Sequence, residues 1–193
     1  MSSIVILSRV KFHGRPDLAA LRKYHEDIGR ALTCVQGYGG SQIWTDVYDP
    51  TRFLTAHVYQ DRRAAEWGLR AIAEEPLVQE YVKLDHDAPN TLRIRTIESE
   101  GALINDLVGA KFLSLSIRIA EPGRGVQLQD DLRLVFSECA LIPGYTGYLI
   151  GVNDALEEET AGIIGWQTKE AFEHSVPDPL VAEVRCFGTA FYW

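Results

Sequence analysis

Cysteine is scarce: Cys34, Cys139 and Cys186 are the only three in 193 residues, and their spacing fits no known framework. An odd, scattered set excludes a disulfide scaffold and offers no metal-binding pattern. The thiols read as small apolar core groups in a reducing, cytoplasmic setting. Positive charge is also short. Nineteen Lys and Arg against 27 Asp and Glu leave a formal net charge of -8, so nucleic acid and anionic membranes are not expected partners. No apolar run approaches the roughly 18 residues of a membrane span. No N-terminal segment joins a basic start to an apolar stretch and a cleavage site. Gly123-Arg124-Gly125 precedes a helical pattern but lacks the spacing of a phosphate loop. There is no Gly-x-Ser-x-Gly elbow, no cysteine–histidine pair, and nothing that marks a flavin or nicotinamide site. His86, between Asp85 and Asp87 and ahead of Pro89, reads as part of a solvated loop. Neither a metal nor a cofactor is expected.

What the sequence does contain is an internal repeat. Gly37-Tyr38-Gly39-Gly40 and Gly144-Tyr145-Thr146-Gly147 each precede a strand pattern, and 37 to 144 is an offset of 107. The same offset pairs Tyr59-Gln60 with Trp166-Gln167, Leu21 with Leu128, Ile28 with Val135, Val10 with Ile117, and Ala64 with Ala171. Any one match is within reach of chance, but a common register over such a length is not.

Each half reads β-α-β-β-α-β, a ferredoxin-like α+β unit. Ile4 to Phe12 alternates, with Ile4, Ile6, Val10 and Phe12 on one face. Asp17 to Val35 carries a helical stripe at Leu18, Leu21, Ile28, Leu32 and Val35, which Gly37 is expected to end. Ser41–Val47 and Arg52–Tyr59 are expected strands about the Asp49-Pro50 turn. Arg62–Ala73 and Leu77–Leu84 are expected to be helical, and Thr91–Ile97 to be the closing strand. The second half repeats this with strands near Phe112–Ala120, Tyr148–Val152, Thr160–Trp166 and Val184–Tyr192, and helices near Val126–Leu141 and Lys169–Ser175. The expected division is a first repeat over 1–97, a linker over 98–110 and a second repeat over 111–193. Leu103, Ile104, Leu107 and Val108 make the linker apolar enough to be a docked helix.

The Gly-Tyr-x-Gly turn, two strands and Trp166-Gln167-Thr168-Lys169-Glu170-Ala171-Phe172 resemble the antibiotic biosynthesis monooxygenase family of dimeric α+β barrels. Tyr59-Gln60-Asp61-Arg62-Arg63-Ala64-Ala65-Glu66 and Glu75-Pro76-Leu77-Val78 match it more loosely. The resemblance covers nearly the whole chain, twice. It implies two sheets packed face to face as one intramolecular barrel, helices outside, and small-molecule pockets between helices and sheet. The chain would then be a monomeric pseudo-dimer, or the unit of a higher assembly. The family includes cofactor-free oxygenases of aromatic polyketides and haem-degrading enzymes, and fold alone does not choose among these. The haem-degrading branch needs an Asn on the first strand, a Trp on the second helix and a His about one helix later. Here those places hold Ser8, Gly68 and Val78, with Leu115 and Ser175 at the first two in the second half, so that branch is disfavoured.

Comparing the halves suggests where chemistry could sit. Ser8, His25, Gly29 and Ala65 stand where the 107-residue offset places Leu115, Leu132, Phe136 and Phe172. Small or polar groups replace bulky apolar ones, which points to a helix–sheet pocket in the first half and a filled second half. His25, titrating near neutrality, is the candidate base. Ser8, Tyr24, Gly29, Tyr38 and Trp67 are the candidate substrate-binding residues. His57 and Tyr59 on the third strand are secondary candidates; with Arg9, Lys11 and Arg118 they are expected to face the barrel interior. The expected activity is cofactor-independent monooxygenation, or a related tailoring step, on an aromatic small molecule with dioxygen. The alternatives are a non-catalytic ligand-binding or stress-related protein, and a cyclase or isomerase using the same base.

Overall fold

A computed structural model describes residues 3–73, 75–101, 107, 109–176 and 184–189. The first half runs β1 (Ile4–Lys11), α1 (Leu18–Leu32), β2 (Tyr38–Asp46), β3 (Arg52–Tyr59), α2 (Arg62–Ala73), α3 (Pro76–Val82) and β4 (Asn90–Gly101). The second runs β5 (Phe112–Ile119), α4 (Gly125–Cys139), β6 (Tyr145–Asn153), β7 (Leu156–Trp166), α5 (Lys169–Ser175) and β8 (Arg185–Thr189). All strand pairs are antiparallel, and the order β1-β3-β2-β8-β5-β7-β6-β4 closes into one barrel.

Closure depends on two seams. β4 pairs with β1 from Asn90 to Arg95 and with β6 from Ile94 to Gly101, so one strand serves both halves. β8 pairs with β5 through Arg185–Gly188 and with β2 through Phe187–Thr189. The linker expected to be helical from Glu98 is therefore strand as far as Gly101, because Glu98 to Gly101 find partners on β6. Leu103, Ile104 and Val108 lie outside the described residues, as do residues 190–192 of the expected last strand. Leu107 is buried in the barrel interior.

That interior is a single apolar core fed by both halves, with Leu7, Trp44, Leu54 and Ile94 facing Leu113, Leu149, Ile163 and Phe187. The helices cover the outer faces. On α1 the Asp17 carboxylate accepts from the Ala19 and Ala20 N–H groups and caps the helix start. Leu21, Ile28 and Leu32 form the buried stripe. Leu18 stays exposed, and Val35 lies in the turn beyond the helix rather than on it.

The repeated glycine motif has a local cause. Gly37 and Gly144 take φ of 84° and 95°, values open mainly to glycine. The Gly37 carbonyl accepts from Gln60 N–H at 2.7 Å, and the Gly144 carbonyl from Gln167 N–H at 2.8 Å. A Cβ at either position would press on Ala64 or Ala171 at 3.1 or 2.8 Å. The turn, the strand-end glutamine and the small helix residue thus recur together because each leaves room for the others.

The shared core makes a testable demand. A Cβ on Gly151 would overlap Cγ2 of Ile94 and meet the Arg95 carbonyl at 3.1 Å, at the β4–β6 seam. Gly151→Val should cost about 1–3 kcal/mol by overpacking. Urea unfolding followed by circular dichroism and by tryptophan fluorescence should still give one coincident transition. Two separated transitions would mean that the halves do not share a core.

Candidate functional site

A cavity of about 260 Å³ lies between α1, α3 and the outer face of β1 and β3. Its walls are mostly aliphatic, including Ile6, Val10, Leu21, Ile28 and Ile43, with His25, His57, Tyr24, Tyr81 and three hydroxyl residues placed among them. No Asp, Glu, Lys or Arg lines it among the described residues. Ser8 and Thr91 hydroxyls are hydrogen-bonded across the β1–β4 pair at 2.8 Å, and Thr55 Oγ1 donates to the Ser8 carbonyl at 3.5 Å. Tyr24 and Tyr81 stack at 4.5 Å with an interplanar angle of 18°, tying α1 to α3.

The two imidazoles face each other across the cavity at 6.3 Å, His25 from the helix and His57 from the strand. His25 Nε2 lies 3.4 Å from the Ser41 hydroxyl. Burial lowers the His25 pKa, partly opposed by Ser41 and Glu26. Burial, with His25 as a second cause, pushes His57 down to about 4. Its Nδ1 is buried and has no hydrogen-bond partner. Both rings are therefore neutral at pH 7 and able to accept a proton, His25 more readily. Burial raises the Tyr24 phenol to about 12 and shifts Tyr38, Tyr59 and Tyr81 upward. These tyrosines are hydrogen-bond donors at neutral pH, not phenolate bases.

Of the residues singled out from sequence, Ser8, Tyr24, His25, His57 and Tyr59 line the cavity together. Gly29 sits one turn along α1, where a Cβ would be 3.5 Å from Ser41 Oγ. Tyr38 packs behind the wall against Tyr59, with ring centroids 5.5 Å apart. Trp67 is not in the cavity. It is 45% exposed on the outside of α2, beneath the Arg63 guanidinium at 4.6 Å.

The expectation that His57 and Tyr59 face the barrel interior is corrected. Ile6 is opposite His57 and Val10 opposite Phe53 in the β1–β3 register, so those four share the helix-covered face, while Leu54 and Ala56 face inward. Arg9 and Lys11 lie on the other face from His57, and Arg118 lines the second-half cavity described below. The Asp85 and Asp87 carboxylates close on His13, at 2.6 and 2.9 Å, while His86 Nδ1 bonds to the Asp87 backbone carbonyl at 2.6 Å. Thr55, Thr91, Ser41 and Tyr81 escaped the sequence reading. The three-residue spacing of Val78 and Tyr81 could have flagged Tyr81, but the cross-strand placement of Ser41, Thr55 and Thr91 has no local signal.

The second half is not filled. An equivalent cavity of about 250 Å³ lies under α4, lined by Ser114, Ser116, Arg118, Asp131, Leu132 and Phe136 among others. Two facts explain the difference from expectation. First, β1 aligns with β5 one residue later than the other elements. Ile4 is opposite Tyr59 and Phe112 opposite Trp166, so 4 corresponds to 112, an offset of 108. The counterpart of Ser8 is therefore Ser116, not Leu115, which lies in the barrel core. Second, Phe136 lies over Gly162, where a Cβ would meet its ring at 2.7 Å. The first half has Gly29 and Thr55 at these positions. A large helix residue over a small strand residue has been exchanged for the reverse, and the cavity volume survives.

The pseudo-symmetric closed barrel with outer helices is an intramolecular dimeric α+β barrel of the kind built by antibiotic biosynthesis monooxygenase-like proteins. Solved structures share this fold across the full chain. One is a monooxygenase candidate from Fusobacterium nucleatum, with a TM-score of 0.71 at 10% identity, covering 98% of this chain and 93% of that one. Another is an anthrone oxidase-like protein, with a TM-score of 0.69 at 11% identity, covering 97% and 91%. A third is a ferredoxin-fold protein from Listeria monocytogenes related to antibiotic biosynthesis monooxygenases, with a TM-score of 0.56 at 9% identity, covering 100% and 97%. At these identities the likeness is one of fold. No protein-family model matches the sequence, and no curated protein matches it.

Two outcomes follow from the geometry. Gly29→Phe has no glycine at Thr55 to settle over, so it should abolish binding of a neutral aromatic probe such as 2-naphthol. Adding Thr55→Gly should recover binding, read by calorimetry. The neutral His57 also makes stability depend on pH. Its folded pKa of about 4 lies below its ordinary 6.5, so the unfolded chain binds more protons between those values. Stability should fall as pH drops from about 6.5 toward 4, by about 3 kcal/mol at most. His57→Leu should show a correspondingly smaller loss of thermal midpoint over that window.

Proposed function

We propose that the chain is a cofactor-independent oxygenase of an uncharged aromatic phenol or enol, bound in the first-half cavity. The observation that carries this is the neutral imidazole pair across a cavity with no charged residue among its described lining residues. A cavity without fixed charge favours a neutral, mostly apolar ligand. A base within it can generate the one charge the reaction needs, where low dielectric keeps that ion close to its partner. The barrel fold shared with the anthrone oxidase-like protein and the monooxygenase candidate supports the same reading.

For an anthrone the step balances without a cofactor. His25 takes the proton from the carbon opposite the ketone, leaving an electron-rich enolate. The enolate transfers an electron to dioxygen, and the radical pair combines to a carbon-bound peroxide anion, which takes back the proton held by His25 to become the hydroperoxide. Loss of water then gives the quinone, with one oxygen atom in the product and one in water. The Ser8–Thr91 hydroxyl pair, which has one O–H to spare, and the Tyr24 phenol are the donors that would orient the ligand's oxygens. His57, pushed by burial down to about 4, stays neutral and keeps the strand wall uncharged while His25 carries the proton.

The test is His25→Leu, the residue that the second half carries as Leu132. Oxygen consumption with anthrone should fall by about 10²- to 10⁴-fold, with the thermal midpoint unchanged or raised. The pH profile of wild-type kcat/KM should decline on the acid side at a pKa below 6.5, following the lowered His25 value. Product formation without oxygen uptake would instead identify a cyclase or isomerase. Full activity in a folded His25→Leu variant would remove this residue from the mechanism.

A further inference from the structure

We propose that the second-half cavity is a separate, non-catalytic site for a small amphiphile bearing a carboxylate. The two cavities are similar in size, at about 260 and 250 Å³, but their chemistry has diverged. Leu132 and Ile164 stand where the first half has His25 and His57, so both candidate bases are gone. No histidine lines the second cavity among its described residues. Charge enters in their place. Through the strand alignment Arg118 replaces Val10, and through the helix alignment Asp131 replaces Tyr24. Arg118 is half-buried and Asp131 exposed, so the guanidinium is the better shielded of the two charges.

The wall between these groups is aliphatic and aromatic, from Leu128, Val135, Phe136 and Ile164, with the Ser116 hydroxyl near the strand. A ligand suited to it has an apolar body and one anionic group. Arg118 already has an interaction within the protein, and a guanidinium, with five N–H donors in a planar fork, can serve more than one acceptor at a time. Asp131 on the rim disfavours a second negative charge, which selects a monoanion over a dianion. Gly162 on β7 leaves room for the Phe136 ring, which a Cβ there would meet at 2.7 Å, and both line the cavity.

The probe is octanoate, with n-octanol as its uncharged counterpart, titrated into the full chain by calorimetry and by amide NMR. Octanoate should bind with one-to-one stoichiometry and shift the Ser116, Leu132 and Gly162 amides, leaving those of Ser8, His25 and Thr55 in place. Octanol should bind at least about tenfold more weakly, as expected when a charge-assisted hydrogen bond is lost. Arg118→Met, which keeps the apolar stem, should weaken octanoate to the octanol level, and His25→Leu should leave octanoate unchanged. No octanoate binding, equal affinity for octanol, or shifts confined to the first-half amides would each overturn the proposal. If Arg118→Met fails to fold, the wild-type amide map and the octanoate–octanol ratio still decide it. Because the readouts sit in the second half, their failure leaves the proposed oxygenase untouched.

Discussion

β4 is long enough to do two jobs, and the molecule is organised around that. From Asn90 to Arg95 it completes the first sheet against β1, and from Ile94 to Gly101 it becomes the edge partner of β6. A bulge between Thr96 and Glu98 takes up the change, as bulges do where a strand must bend between sheets. With β8 returning the exchange to β2, the described strands leave no open sheet edge, and an edge is what would otherwise invite pairing with another chain. The seam is also held by charge. Asp154, at the β6–β7 turn, lies 2.9 Å from Arg93 on β4, with Arg62 of α2 and Arg95 nearby at 3.9 and 4.0 Å. Glu98 of β4 accepts from the Tyr148 hydroxyl and from Arg133 of α4.

Closing the barrel inward fixes where ligands can go. The interior is filled by aliphatic and aromatic side chains from both halves, so the remaining space is outside, between each sheet and its helices. There the helix–sheet separation is set by the largest residue between them. Phe136 lies over Gly162, whereas the positions equivalent by the repeat are Gly29, facing the Ser41 hydroxyl, and Thr55, so the two halves fill that space differently. This is why two cavities of nearly equal volume coexist with different walls.

The sequence carried the repeat, the order of elements and the first-half cavity, because these rest on turn chemistry and helical periodicity. Gly37, Gln60 and Ala64 recur as Gly144, Gln167 and Ala171 through direct mutual contact, so the 107-residue offset is a physical register. What failed was strand facing. Phe53–Tyr59 is buried on both sides, by helices on one and by the barrel core on the other, so no polar alternation tells Thr55 and His57 from Leu54 and Ala56. β5 failed in the same way. One added residue before it turns every side chain over, and Ser8 was matched to Leu115 in place of Ser116. Trp67 was misjudged for a simpler reason: α2 buries Ala64, Ala65 and Gly68, and Trp67 points away from that stripe.

Fusing the two halves in one chain changes what each can become. In a symmetric dimer one gene encodes both sites, so any base placed in one cavity appears in the other. Here the histidines can be confined to one half. Buried neutral imidazoles cost stability as pH falls, and His57 leaves a nitrogen without a partner. The second half carries Leu132 and Ile164 at those positions and avoids both costs. Since the halves share a single core, stability held by the second supports the first. The buried polar site is thus carried by the whole barrel, and that sharing is what lets a cavity with unsatisfied groups persist in a chain of this size.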